Sequence, residues 1–175
     1  MSAPAPARPS RLGLVLQVVV LGLAALAVYW PALRGELLWD DDNDLLRNPL
    51  LRDLPGLAKI WFHPTTFDYY PIKFSVQWLQ WQLWGEHVVG YHLTNVALHL
   101  TAALLFWRVL GRLGVRLAWF GALLFTVHPL AVESVAWICE LKNTLSLPPL
   151  RLAVLAWLDR QIAPRGAISW RAVGG

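Results

Sequence analysis

The sequence predicts an all-α integral membrane protein, with about four transmembrane helices and a long first extracytoplasmic loop carrying interfacial helices. Three observations predict it. The 175 residues are 57% hydrophobic and only 15% charged, with a mean hydropathy of +0.46, which is too apolar for a soluble domain of this length. Apolar runs of near-bilayer length recur along the chain, and tryptophans (Trp30, Trp84, Trp107, Trp119, Trp157) stand near their ends, where amphipathic indoles favour the membrane–water boundary. The arginines bracket these runs instead of forming one basic stripe, so the net charge of +4 reads as a topology signal and not as a nucleic-acid footprint.

The elements follow in order. Residues 1–11 are a Pro/Ala-rich cytoplasmic tail. The first span occupies 12–33; its run 12–30 has Gln17 as its only strongly polar member. A cleaved signal peptide competes, with a basic start at Arg8 and Arg11 and a cleavage-like Ala25-Leu26-Ala27. The apolar run is longer than a signal core and continues past that site, which favours an uncleaved anchor. Residues 34–87 form the extracytoplasmic loop, where eight acidic residues outnumber five basic ones. Within it, IKFSVQWLQWQLW (72–84) sets Trp78, Trp81 and Trp84 on one side and Val76, Leu79 and Leu83 on the other if helical, which suits a helix lying at the interface. The second span is 88–110, and Arg108, Arg112 and Arg116 mark a cytoplasmic turn at 111–116. The third span is 117–130, followed by an extracytoplasmic connector at 131–144. The fourth, 145–159, is short and holds Pro148, Pro149 and Arg151, so a broken helix is expected there. A cytoplasmic tail, 160–175, closes the chain with Arg160, Arg165 and Arg171. The N-terminus is thus expected in the cytoplasm, with the chain in the plasma membrane of a prokaryote or the endoplasmic reticulum of a eukaryote. Cys139 is the only cysteine, which excludes an intramolecular disulfide, and AWICEL suits an inert buried thiol.

Three constellations could carry chemistry. The first is WDDDND, with Asp40, Asp41, Asp42 and Asp44 close to the outer membrane surface. A calcium loop is excluded by detail, since Leu45 and Leu51 stand where an EF-hand needs Gly and Glu. Two readings stay open: a solvated acidic turn, or a catalytic carboxylate that takes a proton from an acceptor hydroxyl while a lipid-borne donor waits in the leaflet. The second is His92, Asn95 and His99, at i, i+3 and i+7 on one face of the second span, which should point into the bundle. Interhelical hydrogen bonding and substrate contact by His92 both fit, and no third zinc ligand is evident. The third is HPLAVESVAWICELKN, where a helical connector would put Glu133, Trp137 and Glu140 on one side, with His128 before them and Lys142 after. Lys142 suits either phosphate binding or snorkelling to headgroups.

In this order and spacing, WDDDNDLLRNPLL, YYPIKFSVQWLQWQLWG, GYHLTNVALHLTAALLFWRVL and HPLAVESVAWICELKNTLS resemble the N-terminal membrane region of the transmembrane and tetratricopeptide-repeat O-mannosyltransferase family and its bacterial relatives. The resemblance covers about residues 12–147. It implies a partial GT-C-type fold and an enzyme that moves a sugar from a polyprenyl-phosphate carrier to a protein Ser or Thr hydroxyl on the extracytoplasmic side. It maps the acidic pair of the first outer loop onto Asp40 and Asp41 as catalytic residues. His92, His128, Glu133 and Lys142 become substrate-binding candidates, with Lys142 on the phosphate side. The implied partners are the lipid-linked sugar, an acceptor protein and membrane lipids, without nucleic acid; a divalent metal is allowed, with no ligand set assigned. Family members continue through further spans and a soluble repeat array, and LPPLRLAV replaces a continuous apolar run. The chain therefore reads as a truncated front part, inactive alone, and the alternative is a non-catalytic membrane interaction or assembly module.

Overall fold

The structure is a computed structural model, and it describes residues 10–63 and 69–162. All regular structure among these residues is helical. The basic residues Arg8, Arg165 and Arg171, which orient the chain in the sequence reading, lie outside the described residues.

Helix α1 (Arg11–Leu33) starts where the Ser10 hydroxyl accepts from the Gly13 N–H at 3.1 Å, an N-cap that satisfies one otherwise unpaired donor. It is apolar all round, yet buries only Leu21, Ala25, Tyr29 and Leu33. That four-residue spacing is one stripe of a helix, and the remaining faces (Val15, Val19, Leu23, Leu26) are exposed. A helix with one packed stripe and apolar surroundings elsewhere suits a lipid environment.

The stripe packs on α4 (Val88–Arg112), the central element, which also packs against α5 (Ala118–Val127) and α7 (Leu141–Ile162). Among the described residues two helices, α1 and α4, are long and apolar enough to cross a membrane. A third span exists if α5 and the following Pro129–Ala136 count as one, since the two are bent by 53°. By length and composition the described residues thus hold two to three candidate spans, and the chain is a helical membrane protein.

The bend has a local cause. His128, before Pro129, is extended (φ −68°, ψ 131°), as residues preceding proline favour, so the helix stops and restarts as a 3₁₀ turn and then α6 (Val132–Ala136). Helix α7 corrects the expected break: it runs unbroken through Pro148 and Pro149. The Arg151 guanidinium donates to the Ala102 carbonyl of α4 and stacks over Phe125 at 4.1 Å, a clamp that holds α7 on α4. With Lys142, Arg151, Asp159 and Arg160, α7 is not among the helices apolar enough to cross.

The segment between α1 and α4 folds over one end of the bundle. A π-helical turn (Asp42–Leu46) and a 3₁₀ turn (Pro49–Leu51) lead to α2 (Leu54–Phe62) and α3 (Pro71–Trp84). Asp53 caps α2 through the Gly56 N–H at 2.7 Å. A core of Leu45, Leu51, Ile60, Phe74, Tyr91 and Ile138 holds these pieces together, with Trp78, Trp81 and Trp84 packed on it. The indoles of α3 therefore serve the core of the segment. Its outward residues are Ile72, Leu79 and Leu83, each more than half exposed.

Candidate functional site

The acidic run divides its carboxylates among distinct tasks. Asp41 is fully buried: one oxygen accepts from the Leu38 N–H at 3.0 Å and the other from the Cys139 N–H at 2.8 Å. It thereby ties the turn after α1 to the 3₁₀ turn Ile138–Glu140 before α7, 98 residues along the chain. Asp44 pairs with Lys73 of α3, a lysine whose side chain is only 7% exposed. Asp40 is exposed and stands between Trp39 and Asp41. Trp39 has a positive φ of 44°, uncommon for a bulky residue, and its 81% exposed ring meets Trp137 edge-on at 5.0 Å.

The polar face of α4 points inward as expected. Asn95 donates to the Trp137 carbonyl at 3.1 Å, and the Thr144 hydroxyl reaches Asn95 Oδ1 at 3.4 Å. His99 Nε2 lies 3.2 Å from the Thr126 carbonyl, with its ring stacked on Phe125. His92 differs. It is 1% exposed and neither ring nitrogen has a hydrogen-bond partner; the Ala136 carbonyl is near, without the geometry of a bond, and Asp41 is a charged neighbour.

The connector does not form one helix. Trp137 is extended (ψ 122°) between α6 and the 3₁₀ turn Ile138–Glu140, so Glu133 and Glu140 do not share a helical face. Glu133 is exposed on α6, and His128 is exposed with Nδ1 accepting from the Leu130 N–H at 3.2 Å, a local cap. Neither joins Asp41. Lys142 does belong near the site: it pairs with Glu140, lies 5.7 Å from the Tyr70 ring, and lines a groove of about 480 Å³ between α3 and α7. Lys73, Tyr70, Leu98, Leu145 and Pro149 line the same groove.

The structure thus gathers Asp41, Asp44, Lys73, Cys139 and His92 at the end of the bundle, with Asp40 on its surface and Lys142 beside it. Burial pushes the Cys139 thiol up, with the hydrogen bond to Asp41 adding to it, so the thiol is not a nucleophile. Lys73 escaped the sequence reading; its signal was the polar face it shares with Gln77 and Gln80, at i+4 and i+7 of α3, all three buried. Among the described residues no three His, Cys, Asp or Glu side chains come together as a metal-holding group.

Fold and site define a helical membrane protein with a carboxylate-bearing segment folded over one end of its bundle, beside an apolar groove rimmed by lysines. No family model matches the chain and no solved structure matches it. Among curated proteins it is similar to a protein O-mannosyl-transferase of Caenorhabditis elegans, 25% identical over a 137-residue alignment that covers 70% of this chain. The chain spans 20% of that relative's length.

Proposed function

We propose that this chain is the carboxylate-bearing, N-terminal part of a membrane glycosyltransferase that moves a sugar from a polyprenyl-phosphate carrier to a protein Ser or Thr hydroxyl. The observation that carries the proposal is the acidic run itself, in which exposed Asp40 adjoins the buried, backbone-anchored Asp41 and Asp44 pairs with Lys73 of the lysine-rimmed groove. The similarity to an O-mannosyl-transferase supports mannose as the sugar.

Asp40 acts as general base. Its carboxylate takes the proton of the acceptor hydroxyl as that oxygen attacks the anomeric carbon of the sugar. The bond from that carbon to the carrier phosphate breaks, and the phosphate leaves with the electron pair. Lys142 stabilises the departing charge, while the apolar walls at Leu98, Leu145 and Pro149 take the isoprenoid chain. Asp41 is a positioning residue, because both of its oxygens already hold backbone N–H groups. His128 and Glu133 take no part in this scheme. The catalytic face is the extracytoplasmic one, with the N-terminus inside.

The test is transfer of radiolabelled mannose from a polyprenyl-phosphate carrier to a Ser/Thr peptide by membranes carrying this segment in its full-length context. Asp40→Asn should lower the rate by about 10²- to 10⁴-fold, the usual worth of a general base. An unchanged rate sinks the assignment of the base. Carrier binding without any transfer by the unsubstituted chain supports the non-catalytic module instead.

A further inference from the structure

A second cavity, of about 310 Å³, lies between α1, α4 and α6. Its polar side chains are Tyr29, Glu36 and His92; its other walls, among them Val28, Leu38 and Ala136, are apolar. His92 and Tyr29 are each 1% exposed; the Tyr29 hydroxyl has no hydrogen-bond partner, and the His92 ring nitrogens have no well-aligned one, the Ala136 carbonyl lying near them. Buried polar groups are almost always paired, so two unpaired ones on one cavity mark a place where a ligand supplies the missing partner. A neutral imidazole presents one donor and one acceptor, and a hydroxyl answers either. A carboxylate or phosphate could only accept, and would meet the charges of Glu36 and nearby Asp41. A sugar ring would bring several hydroxyls to a space that offers partners for one or two. A single hydroxyl on a short apolar stem fits.

We infer that this cavity is the acceptor subsite, which takes a Ser or Thr side chain and anchors its hydroxyl on His92. The inference rests on the transferase reading and adds to it the site and the residue that select the acceptor. Leu38, whose N–H is held by Asp41 and which stands two positions before Asp40 in the chain, forms part of the wall.

The experiment uses the 175-residue chain in lipid nanodiscs and measures its affinity for two short peptides, one with a single Thr and one with Val in its place. The two side chains share a shape and differ in the hydroxyl, and a site built to bond a hydroxyl rejects the analogue lacking it. The unsubstituted chain should prefer the Thr peptide by at least about 10-fold. His92→Phe should abolish the preference. Val132→Phe, at the exposed rim of the cavity, should weaken both peptides while keeping the helical circular-dichroism signal, which guards against misfolding as the cause. Equal affinity in the unsubstituted chain, no binding of either peptide, or a preference that survives His92→Phe overturns the inference. Displacement of the Thr peptide by methyl mannoside overturns it in favour of a sugar subsite. Polyprenyl-phosphate binding measured on the same samples separates the two readings: binding kept with no Thr preference defeats the subsite alone, whereas a Thr preference without carrier binding leaves a hydroxyl-binding cavity but defeats the transferase and with it the acceptor role.

Discussion

Asp41→Asn looks like the conservative probe of a catalytic carboxylate, and the structure says it is not. Both oxygens of Asp41 accept from backbone donors, Leu38 N–H at 3.0 Å and Cys139 N–H at 2.8 Å. Asparagine keeps one acceptor and turns an NH₂ group toward the other donor. The substitution removes one bond to a charged group, worth about 1.5–3 kcal/mol, and leaves a buried N–H unpaired at about 1–3 kcal/mol. At the low end these sum to about 2.5 kcal/mol, on the order of 100-fold in the opening equilibrium of the corner. Amide hydrogen exchange read by mass spectrometry over the Cys139 segment measures that opening directly. Asp41→Asn should speed its exchange by about 100-fold, and Asp40→Asn, at an exposed position, should leave it unchanged. A change under about threefold at Asp41→Asn would refute the anchoring role and return Asp41 to the list of candidate bases.

Three further outcomes follow from particular contacts. Breaking the Lys73–Asp44 pair should cost more from the acidic side: Asp44→Asn strands a lysine that is 7% exposed, at about 3 kcal/mol, while Lys73→Met strands a carboxylate that is 26% exposed and partly hydrated; thermal unfolding in detergent giving the reverse order would contradict the burial argument. Maleimide labelling of Cys139 should stay slow from pH 7 to 9 in the folded chain and become fast on unfolding. Burial raises the thiol above its ordinary value of about 8.5, so the stability it lends is whole below that pH and falls as pH rises beyond it; labelling that climbs like a free thiol's would show the site is open. Gly56→Ala should destabilise α2 despite the better helix propensity of alanine, because the new Cβ would stand 2.3 Å from the Leu50 carbonyl oxygen. A loss of about 1–3 kcal/mol in thermal unfolding is expected, and a gain would show that the 3₁₀ turn yields.

Helices were legible in the sequence where a local pattern suffices. Continuous apolarity gave α1, and the seven-residue polar stripe gave both α4 and the direction it faces. Asp40 and Asp41 stood out because charge is scarce in this chain. What escaped depends on contacts between distant residues. Nothing local in WDDDND says that Asp41 would bond a backbone N–H 98 residues away, or that Asp44 would meet Lys73. The Pro pair in α7 has a strong local meaning as a breaker, and it lost to packing on α4 and the clamp of Arg151 on the Ala102 carbonyl. The connector failed in the other direction: Glu133, Trp137 and Glu140 carry helical spacing, but Trp137 is extended and its carbonyl is taken by Asn95.

The geometry of α4 also separates the two cavities. At 100° per residue, Leu98, which lines the lysine-rimmed groove, lies about 120° around the helix from His92, which lines the other cavity. An isoprenoid phosphate and a peptide side chain would therefore approach on different faces of one helix and meet only over its end, where the Asp41-anchored corner carries Asp40. Two ligands that use different faces should not displace one another. Saturating polyprenyl phosphate should leave the affinity for the Thr peptide within about twofold, whereas one shared pocket would give full competition. Competition would place both substrates in a single groove and reassign His92 to the carrier. Independence makes the corner at Asp41 and Cys139 the element on which their encounter depends, so loosening it should harm transfer without weakening the binding of either ligand.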